Sequence, residues 1–221
     1  MAGNLQAVCF DLDGLLADTE PFYFEAHRQV FAKYGVALTM EEYARRWIIL
    51  GQRTSGAAPA MGITEDPAVL TLEAKALYRE MVRAGVTAMP HAVETMRAVS
   101  ARFPTILVTN TPEAETRLIL EKTGLAPYLH HLAPRESYEN PKPAPDSYLA
   151  AARILGRAPG GCLAIEDSPR GVRAALAAGM RCVWIPNEYT RVAEPPRGIL
   201  ATLGSLAELD VDSIAARWTS L

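Results

Sequence analysis

An apolar run near the start of the chain ends in two carboxylates that are separated by one residue. Residues 5–10 are hydrophobic apart from one glutamine, and Asp11, Asp13 and Gly14 follow directly. The run predicts a buried strand, and an unpaired carboxylate beside a protein core is costly unless it is protonated. Two such acids also repel each other, so the pattern favours a compensating cation, most simply a divalent metal ion. The plainer alternative is a turn with an Asp helix cap and a glycine at positive φ.

The composition is that of a globular protein with one large core and room for an inserted segment. The 221 residues are 49% hydrophobic and 21% charged, which is ordinary for such a chain. A net charge of −3 without a basic run argues against nucleic-acid binding. The sequence has no apolar run of membrane-spanning length and no signal-peptide pattern, so we expect a cytoplasmic monomer without a membrane partner. Three cysteines in apolar runs predict buried thiols, at Cys9, Cys162 and Cys182.

Alternating strand and helix patterns predict a parallel sheet with helices on both faces. After the first strand, further strands are predicted at 105–109, 128–132, 161–165 and 181–185. Helices are predicted at 91–102, 112–122, 144–155, 169–178 and 203–218. This alternation is typical of an α/β fold with a Rossmann-like open parallel sheet.

The segment between the first two strands has a helical pattern throughout. It begins with a helix at 22–34, and nothing in it alternates like a strand. We therefore expect a helical cap domain at 16–85, inserted into a Rossmann-like catalytic core made of 1–15 and 86–221.

Polar side chains follow three of the predicted strands, namely Asp11, Asp13, Thr109, Asn110, Glu166 and Asp167. The carboxyl ends of parallel strands meet at the edge of the sheet where ligands bind. One such acid is usually a turn residue or a cap, but three converging strand ends predict a site. Oxygen ligands without a neighbouring His or Cys favour Mg²⁺ over zinc.

Lys142 lies in the proline-rich segment 140–145, directly before a predicted helix. Prolines on both sides restrict the backbone and therefore the direction of the amine. A solvated lysine in a loop is the plainer alternative. We favour a site residue because the predicted acids need a cation.

Four segments resemble the motifs of the haloacid dehalogenase-like superfamily. They are 11–20, the strand that ends in Thr109, 142–146 and 165–180, in the order and spacing of that family. Together they span nearly the whole chain. The helical insert resembles the small cap of the β-phosphoglucomutase-like and sugar-phosphate phosphatase subgroup.

The resemblance implies a role for each motif residue. Asp11 would be the nucleophile that forms an aspartyl-phosphate. Asp13 would protonate the leaving oxygen and then activate water. Thr109, with backbone amides near Asn110, would hold the phosphoryl group, and Lys142 would neutralise charge on it.

The same resemblance implies Mg²⁺ as the cofactor. Its ligands would be Asp11, the backbone carbonyl of Asp13, Asp167 and, as a helper, Glu166. Dehalogenases of the superfamily lack an acid at the position of Asp13, so phosphoryl chemistry is expected here.

The cap carries two further expected substrate contacts, Arg53 and Tyr23. Arg53 lies in a loop, at 51–54, that resembles the loop closing over substrate, although it also fits an ordinary exposed arginine. β-Phosphoglucomutases usually carry His where Tyr23 stands, and a tyrosine with a pKa of about 10 is a poor proton shuttle near neutrality. Thr19 or Asp18 is expected to cap the next helix, and His91 stands where the subgroup often has glycine.

These observations predict a Mg²⁺-dependent phosphatase that acts on a small phosphorylated metabolite, with sugar phosphates as the expected class. A β-phosphoglucomutase-type phosphomutase is the alternative within the same chemistry. A non-catalytic regulator that accepts a phosphoryl group on Asp11 is the alternative from another class.

Overall fold

A parallel sheet of six strands forms the centre of the molecule, of which a computed structural model describes residues 4–218. The strands are β1 (Ala7–Phe10), β2 (Thr105–Val108), β3 (His131–Ala133), β4 (Cys162–Glu166), β5 (Arg181–Trp184) and β6 (Ala201–Thr202). Their order is β3-β2-β1-β4-β5-β6. This is the Rossmann order, whose direction reverses between β1 and β4, where ligands bind in such sheets. The predicted fold class is confirmed.

Nine α-helices accompany the sheet within the described residues. They are α1 (Glu20–Ala32), α2 (Met40–Tyr43), α3 (Thr54–Ala60), α4 (Pro67–Ala84), α5 (Ala92–Ser100), α6 (Glu113–Thr123), α7 (Asp146–Leu155), α8 (Pro169–Ala177) and α9 (Val211–Ala216). A π-helical turn, Ala44–Ile49, continues α2. Helices α1 to α4 lie between β1 and β2, where a helical insert is expected. The division into a cap and a core stays a prediction.

The central strand β1 divides the apolar core into two parts. Val8 and Phe10 pack in one cluster with residues of α5 and α6, whereas Ala7 and Cys9 pack in another with residues of α7 and α8. Because neighbouring side chains on a strand point to opposite faces, helices cover both faces of the sheet. The three thiols are free and buried, as predicted. Within residues 4–218, no helix combines the length and apolar character needed to cross a membrane.

The helical insert joins the sheet through two adjacent chain segments. Ala17 and Ala88 form an antiparallel bridge, and the amide of Asp18 donates to the carbonyl oxygen of Thr87 at 3.0 Å. Gly14 turns the chain between β1 and this bridge with a φ of 78°, which glycine adopts without steric cost. The insert therefore starts and ends beside the carboxyl end of β1.

The prediction of one helix over 203–218 is wrong. That part of the chain contains a short 3₁₀ turn, Leu206–Glu208, and α9, while β6 precedes it. The side chain of Asp210 accepts a hydrogen bond from the amide of Ser213 at 2.9 Å and so begins a new helix there. An Asp inside a periodic pattern acts here as a cap, which interrupts the predicted helix.

His91 is strained, and we expect its replacement by glycine to stabilise the protein. Among residues 4–218 it is the one non-glycine residue with a positive φ, 65°, and its exposed side chain makes no cap hydrogen bond. His91→Gly should raise the free energy of unfolding by about 1 kcal/mol, because glycine has no Cβ to clash in this conformation. The melting temperature should rise by about 2–4 °C. His91→Ala keeps the Cβ and should give no such gain.

Candidate active site

Three buried acids meet at the carboxyl ends of β1 and β4. Asp11 follows β1, Glu166 ends β4 and Asp167 comes next, and one carboxylate oxygen from each lies within 4.8 Å of the others. The register pairs Phe10 with Ile165, which places these two strand ends side by side. Buried acids at this spacing cannot all stay ionised without cations nearby.

Lys142 supplies part of that positive charge. Its Nζ donates to Asp11 Oδ1 at 2.6 Å, to Glu166 Oε1 at 2.6 Å and to the carbonyl oxygen of Val108 at 2.8 Å. Burial alone would lower the pKa of Lys142, but the carboxylates of Asp11 and Glu166 outweigh it and raise that pKa above its ordinary value. All three ammonium protons are thus used by the protein.

The loop that carries Lys142 is tied to the end of β2. Asn110 Oδ1 accepts hydrogen bonds from the backbone amide of Lys142 at 3.2 Å and from the hydroxyl of Tyr138 at 2.9 Å. The peptide bond between Lys142 and Pro143 is cis. The side-chain oxygen of Asn110 therefore positions the lysine loop. The side-chain nitrogen of Asn110 can then donate to a ligand.

Asp167 is a buried acid whose described hydrogen-bond partner is a neutral amide. Its Oδ2 accepts a hydrogen bond from Asn187 Nδ2 at 2.8 Å, and it forms no ion pair within the described part of the chain. Burial and the neighbouring Asp11 raise the pKa of Asp167 well above its usual range. The three carboxylates offer only oxygen donors, which fits a hard divalent cation. A cation bound among them would remove this unfavourable charge.

Asp13 has a different environment from Asp11, because threonine hydroxyls surround it. Thr19 donates to Asp13 Oδ1 at 2.8 Å, while Thr109 and Thr111 donate to Oδ2 at 3.0 and 2.7 Å. Burial and the charge of Asp11 raise the pKa of Asp13, and the three hydroxyls oppose that rise. Two carboxylates with different partners can hold different protonation states.

Thr19 and Thr111 are functional neighbours that sequence reasoning missed. Thr19 stands at the N-cap position of α1 but makes no side-chain cap bond, so the expectation of a capping role is wrong. Its hydroxyl donates to Asp13 instead. The alternation of Thr109 and Thr111 after β2 is a signal that could have indicated the second contact.

Two neighbouring cavities that share five lining residues adjoin these acids. The inner chamber is lined by Asp11, Asp13, Glu20, Ile48, Asn110, Lys142, Asp167, Ser168 and Arg170. The outer chamber, of about 210 Å³, is lined by Asp13, Glu20, Tyr23, His27, Tyr43, Trp47, Ile48, Gln52, Asn110, Thr111 and Arg170. Groups from the helical insert and from the sheet edge thus line both cavities.

The two cap residues expected to contact substrate lie in different places. Tyr23 lines the outer chamber, with its hydroxyl 3.3 Å from Thr111 Oγ1 and its ring stacked on that of Tyr78. Burial raises the pKa of Tyr23 above its ordinary value. Arg53 lines neither chamber. It lines an open cleft with Lys75, and this cleft shares His27, Trp47 and Gln52 with the outer chamber. The contact of Arg53 with substrate therefore stays a prediction.

Glu20 is a buried acid whose charge state we expect to control stability. Burial raises the pKa of Glu20 from 4.5 to about 7, with Asp13 adding to the rise and Arg170 opposing it. An acid with a raised folded-state pKa stabilises the fold at low pH and loses that contribution as pH rises towards 7. In metal-free protein, the free energy of unfolding of Glu20→Gln should rise relative to that of wild type by about 3 kcal/mol when the pH is raised from 4 to 8. Chemical denaturation at both values tests this, and a constant difference would contradict it.

Gly171 in α8 leaves the space that Glu166 occupies. A Cβ at this position would overlap the carboxylate of Glu166, which Lys142 and Tyr148 hold by hydrogen bonds. Gly171→Ala should lower the free energy of unfolding by about 1–3 kcal/mol, because a buried carboxylate must move away from its partners. Gly56→Ala in α3 is the matched control, since an added methyl group there meets no atom within 4 Å. Thermal unfolding should show a loss for the first variant alone.

The structure thus brings the acids of two strand ends together with a buried lysine, as the motif residues predict. Comparison with known proteins specifies the family. The profile of the haloacid dehalogenase-like hydrolases matches residues 5–179. The chain belongs to this family, as the sequence motifs predict.

Relatives of known name include two phosphatases. A phosphorylated carbohydrates phosphatase from Thermotoga maritima is 33% identical over 184 residues, which cover 81% of this chain and 84% of the relative. A fructose-1-phosphate phosphatase from Escherichia coli is 31% identical over 180 residues, which cover 79% and 93%. Among solved structures, a CbbY mutant from Rhodobacter sphaeroides in complex with xylulose-(1,5)bisphosphate matches with a TM-score of 0.78 and 27% identity, over 93% of this chain and 96% of that chain.

Proposed function

We propose that the protein is a Mg²⁺-dependent phosphatase that hydrolyses a small sugar phosphate through an aspartyl-phosphate. The observation that carries the proposal is the contrast between the two carboxylates. The Asp11 carboxylate contacts a lysine in a buried acidic cluster, whereas the hydrogen bonds to the Asp13 carboxylate from residues 4–218 all come from threonine hydroxyls. The named phosphatases among the relatives support the reaction and the substrate class.

The proposed reaction divides the work between these two acids. Asp11 Oδ2, which accepts no hydrogen bond from residues 4–218, attacks phosphorus and forms the aspartyl-phosphate while the bond to the alcohol oxygen breaks. Asp13 protonates that oxygen, and its raised pKa suits a proton donor near neutrality. Asp13 then takes a proton from the water that attacks the aspartyl-phosphate, which regenerates Asp11 and releases phosphate.

Positive charge is required because an anionic nucleophile approaches an anionic phosphoryl group. Lys142 holds Asp11 in place and offsets its charge. Mg²⁺ held by Asp11, Glu166 and Asp167 would supply further positive charge to the attacking and transferring oxygens. The hydroxyl of Thr109 donates to Asp13. Thr109 therefore orients this acid in addition to its proposed part in binding the phosphoryl group.

Tyr23 argues against the phosphomutase alternative. Its hydroxyl lies next to Thr111, and burial raises its pKa, which makes proton transfer by this group less favourable still. Feeding β-glucose 1-phosphate with a catalytic amount of the bisphosphate, and measuring glucose 6-phosphate, would reveal mutase activity. The predicted cytoplasmic location and monomeric state remain predictions.

The experiment that tests the proposal is a phosphate-release screen over phosphorylated metabolites, with Mg²⁺ and with chelator. We expect multiple turnovers on at least one sugar phosphate, and loss of activity in chelator that added Mg²⁺ restores. A single turnover that leaves phosphate on the protein would instead support the regulator. Full activity in chelator would contradict the metal requirement.

A further inference from the structure

Arg170, at the start of α8, is a site cation with unused hydrogen-bond donors. It lines both chambers, and its one hydrogen bond within the described part of the chain is a long contact of 3.5 Å from Nη1 to the carbonyl oxygen of Trp47. It forms no ion pair among residues 4–218. The other lysine or arginine lining these chambers, Lys142, spends all three protons on protein groups. Arg170 is therefore the cation that can donate to a ligand without losing a protein partner.

Glu20, the first residue of α1, offers a hydrogen-bond acceptor to the same two chambers. It lines both chambers and is buried. Its Oε2 accepts a hydrogen bond from the hydroxyl of Tyr43 at 3.1 Å, while Oε1 accepts none from the described residues. A buried acceptor that faces a cavity is satisfied by a donor on a ligand or by water.

Two neutral side chains of the outer chamber add another donor and another acceptor. His27 Nδ1 lies 2.8 Å from the carbonyl oxygen of Tyr23, so it carries the proton and leaves Nε2 as an acceptor. Gln52 Oε1 accepts from Arg46 at 3.2 Å, which leaves the amide nitrogen of Gln52 as a donor. Donors and acceptors are thus mixed on one small surface, and hydroxyl groups match such a surface because each both donates and accepts.

We propose that Arg170 and Glu20 determine specificity for a polyhydroxylated leaving group in the outer chamber. Arg170 donates to an oxygen of the leaving alcohol, and Glu20 accepts from one of its hydroxyls. The stacked rings of Tyr43 and Trp47, with centroids 5.4 Å apart, provide an apolar wall for the carbon skeleton. This inference rests on the proposed function and names the residues that select its substrate.

The test compares sugar phosphates with an aryl phosphate that has no hydroxyl on its leaving group. We would measure kcat/KM with Mg²⁺ for fructose 1-phosphate, glucose 6-phosphate, ribose 5-phosphate and p-nitrophenyl phosphate. Arg170→Met should lose about tenfold or more on the best sugar phosphate and less than about threefold on the aryl phosphate. Arg170→Lys should restore part of the loss. Glu20→Gln should lose about fivefold on the sugar phosphate alone, since a neutral amide is the weaker acceptor.

The matched control is Glu25→Gln, the same substitution on the same helix, where the side chain is paired with Arg28 outside both chambers. It should leave all four activities unchanged. Equal losses of Arg170→Met on sugar and aryl phosphates would overturn the proposal, because a damaged fold or a lost phosphoryl contact acts on both. A wild-type enzyme that does not prefer any sugar phosphate over the aryl phosphate would overturn it while leaving the phosphatase proposal intact. Hydrolysis of none of the four would overturn this proposal, and the wider phosphate-release screen would then decide the phosphatase proposal separately.

Discussion

The Asp11→Asn protein should fold normally and release no phosphate. An amide oxygen can still accept the hydrogen bond from Lys142, so the packing around residue 11 is kept. The substitution also removes one of three clustered buried acids, which should leave stability unchanged or higher. An amide is not a nucleophile that can form an acyl phosphate, so multiple-turnover phosphate release should fall by at least about a thousandfold. Phosphate release and thermal unfolding, measured together, test both halves of this expectation.

Asp13→Asn provides the comparison that separates the two acids. It should also abolish turnover, because no group then protonates the leaving oxygen or activates water. Asp212→Asn is the control, because Asp212 forms an exposed ion pair with Arg102 and lines neither chamber. It should leave activity at the wild-type level. Robust phosphate release by purified Asp11→Asn would contradict the aspartyl-phosphate mechanism.

The part of the site that follows strand ends could be predicted from the sequence. Asp11, Glu166 and Asp167 lie together because parallel strands bring their carboxyl ends to one edge, and this depends only on recognising buried strands. Lys142 lies in a loop, and its position among the acids was indicated by its proline-rich segment and by the need for a cation. Their roles in catalysis remain predictions.

The residues that were missed depend on distances between segments far apart in the sequence. Thr111 contacts Asp13 across 98 positions, and Arg170 reaches Trp47 across 123. The first pairing joins the ends of the neighbouring strands β1 and β2, so the strand-end rule could have indicated it. The second has no periodic signal, because it depends on how the helical insert lies over the sheet edge. Asn187, which joins Asp167 to the carbonyl oxygen of Gly14, follows β5 and could have been found by the strand-end rule.

The position of Arg53 also depends on packing that its loop does not reveal, because the direction of a loop cannot be read from its composition. In the structure Arg53 lines the open cleft beside the outer chamber, whereas Arg170 of α8 lines both chambers. The contact of Arg53 with substrate stays a prediction. Arg170 thus supplies positive charge at the outer chamber, although nothing in its sequence context distinguishes it from the other arginines of the chain.

Lys142→Met should have the largest effect on stability, because it removes the cation that Asp11 and Glu166 share. Breaking a buried pair by deleting one partner typically costs about 3–5 kcal/mol, since the remaining charge stays buried and unpaired. We expect a loss of this size in metal-free protein at pH 8. The loss should shrink at pH 5, because burial raises the pKa of Glu166, which can then take up a proton and become neutral. Chemical denaturation at both pH values measures the difference.

Lys33→Met is the matched control for this change. The Lys33–Glu73 ion pair is 2.7 Å long, close to the 2.6 Å of Lys142–Asp11, but its side chains are 57% and 36% exposed rather than 3% and 10%. Solvent screens such a pair, so its loss should not measurably change the melting temperature. If Lys142→Met and Lys33→Met had equal effects, or if the loss in Lys142→Met were the same at both pH values, the charge of Lys142 would not be what holds the buried acids together. Because the two ion pairs differ in burial far more than in length, the comparison isolates desolvation as the reason why this one lysine organises the site.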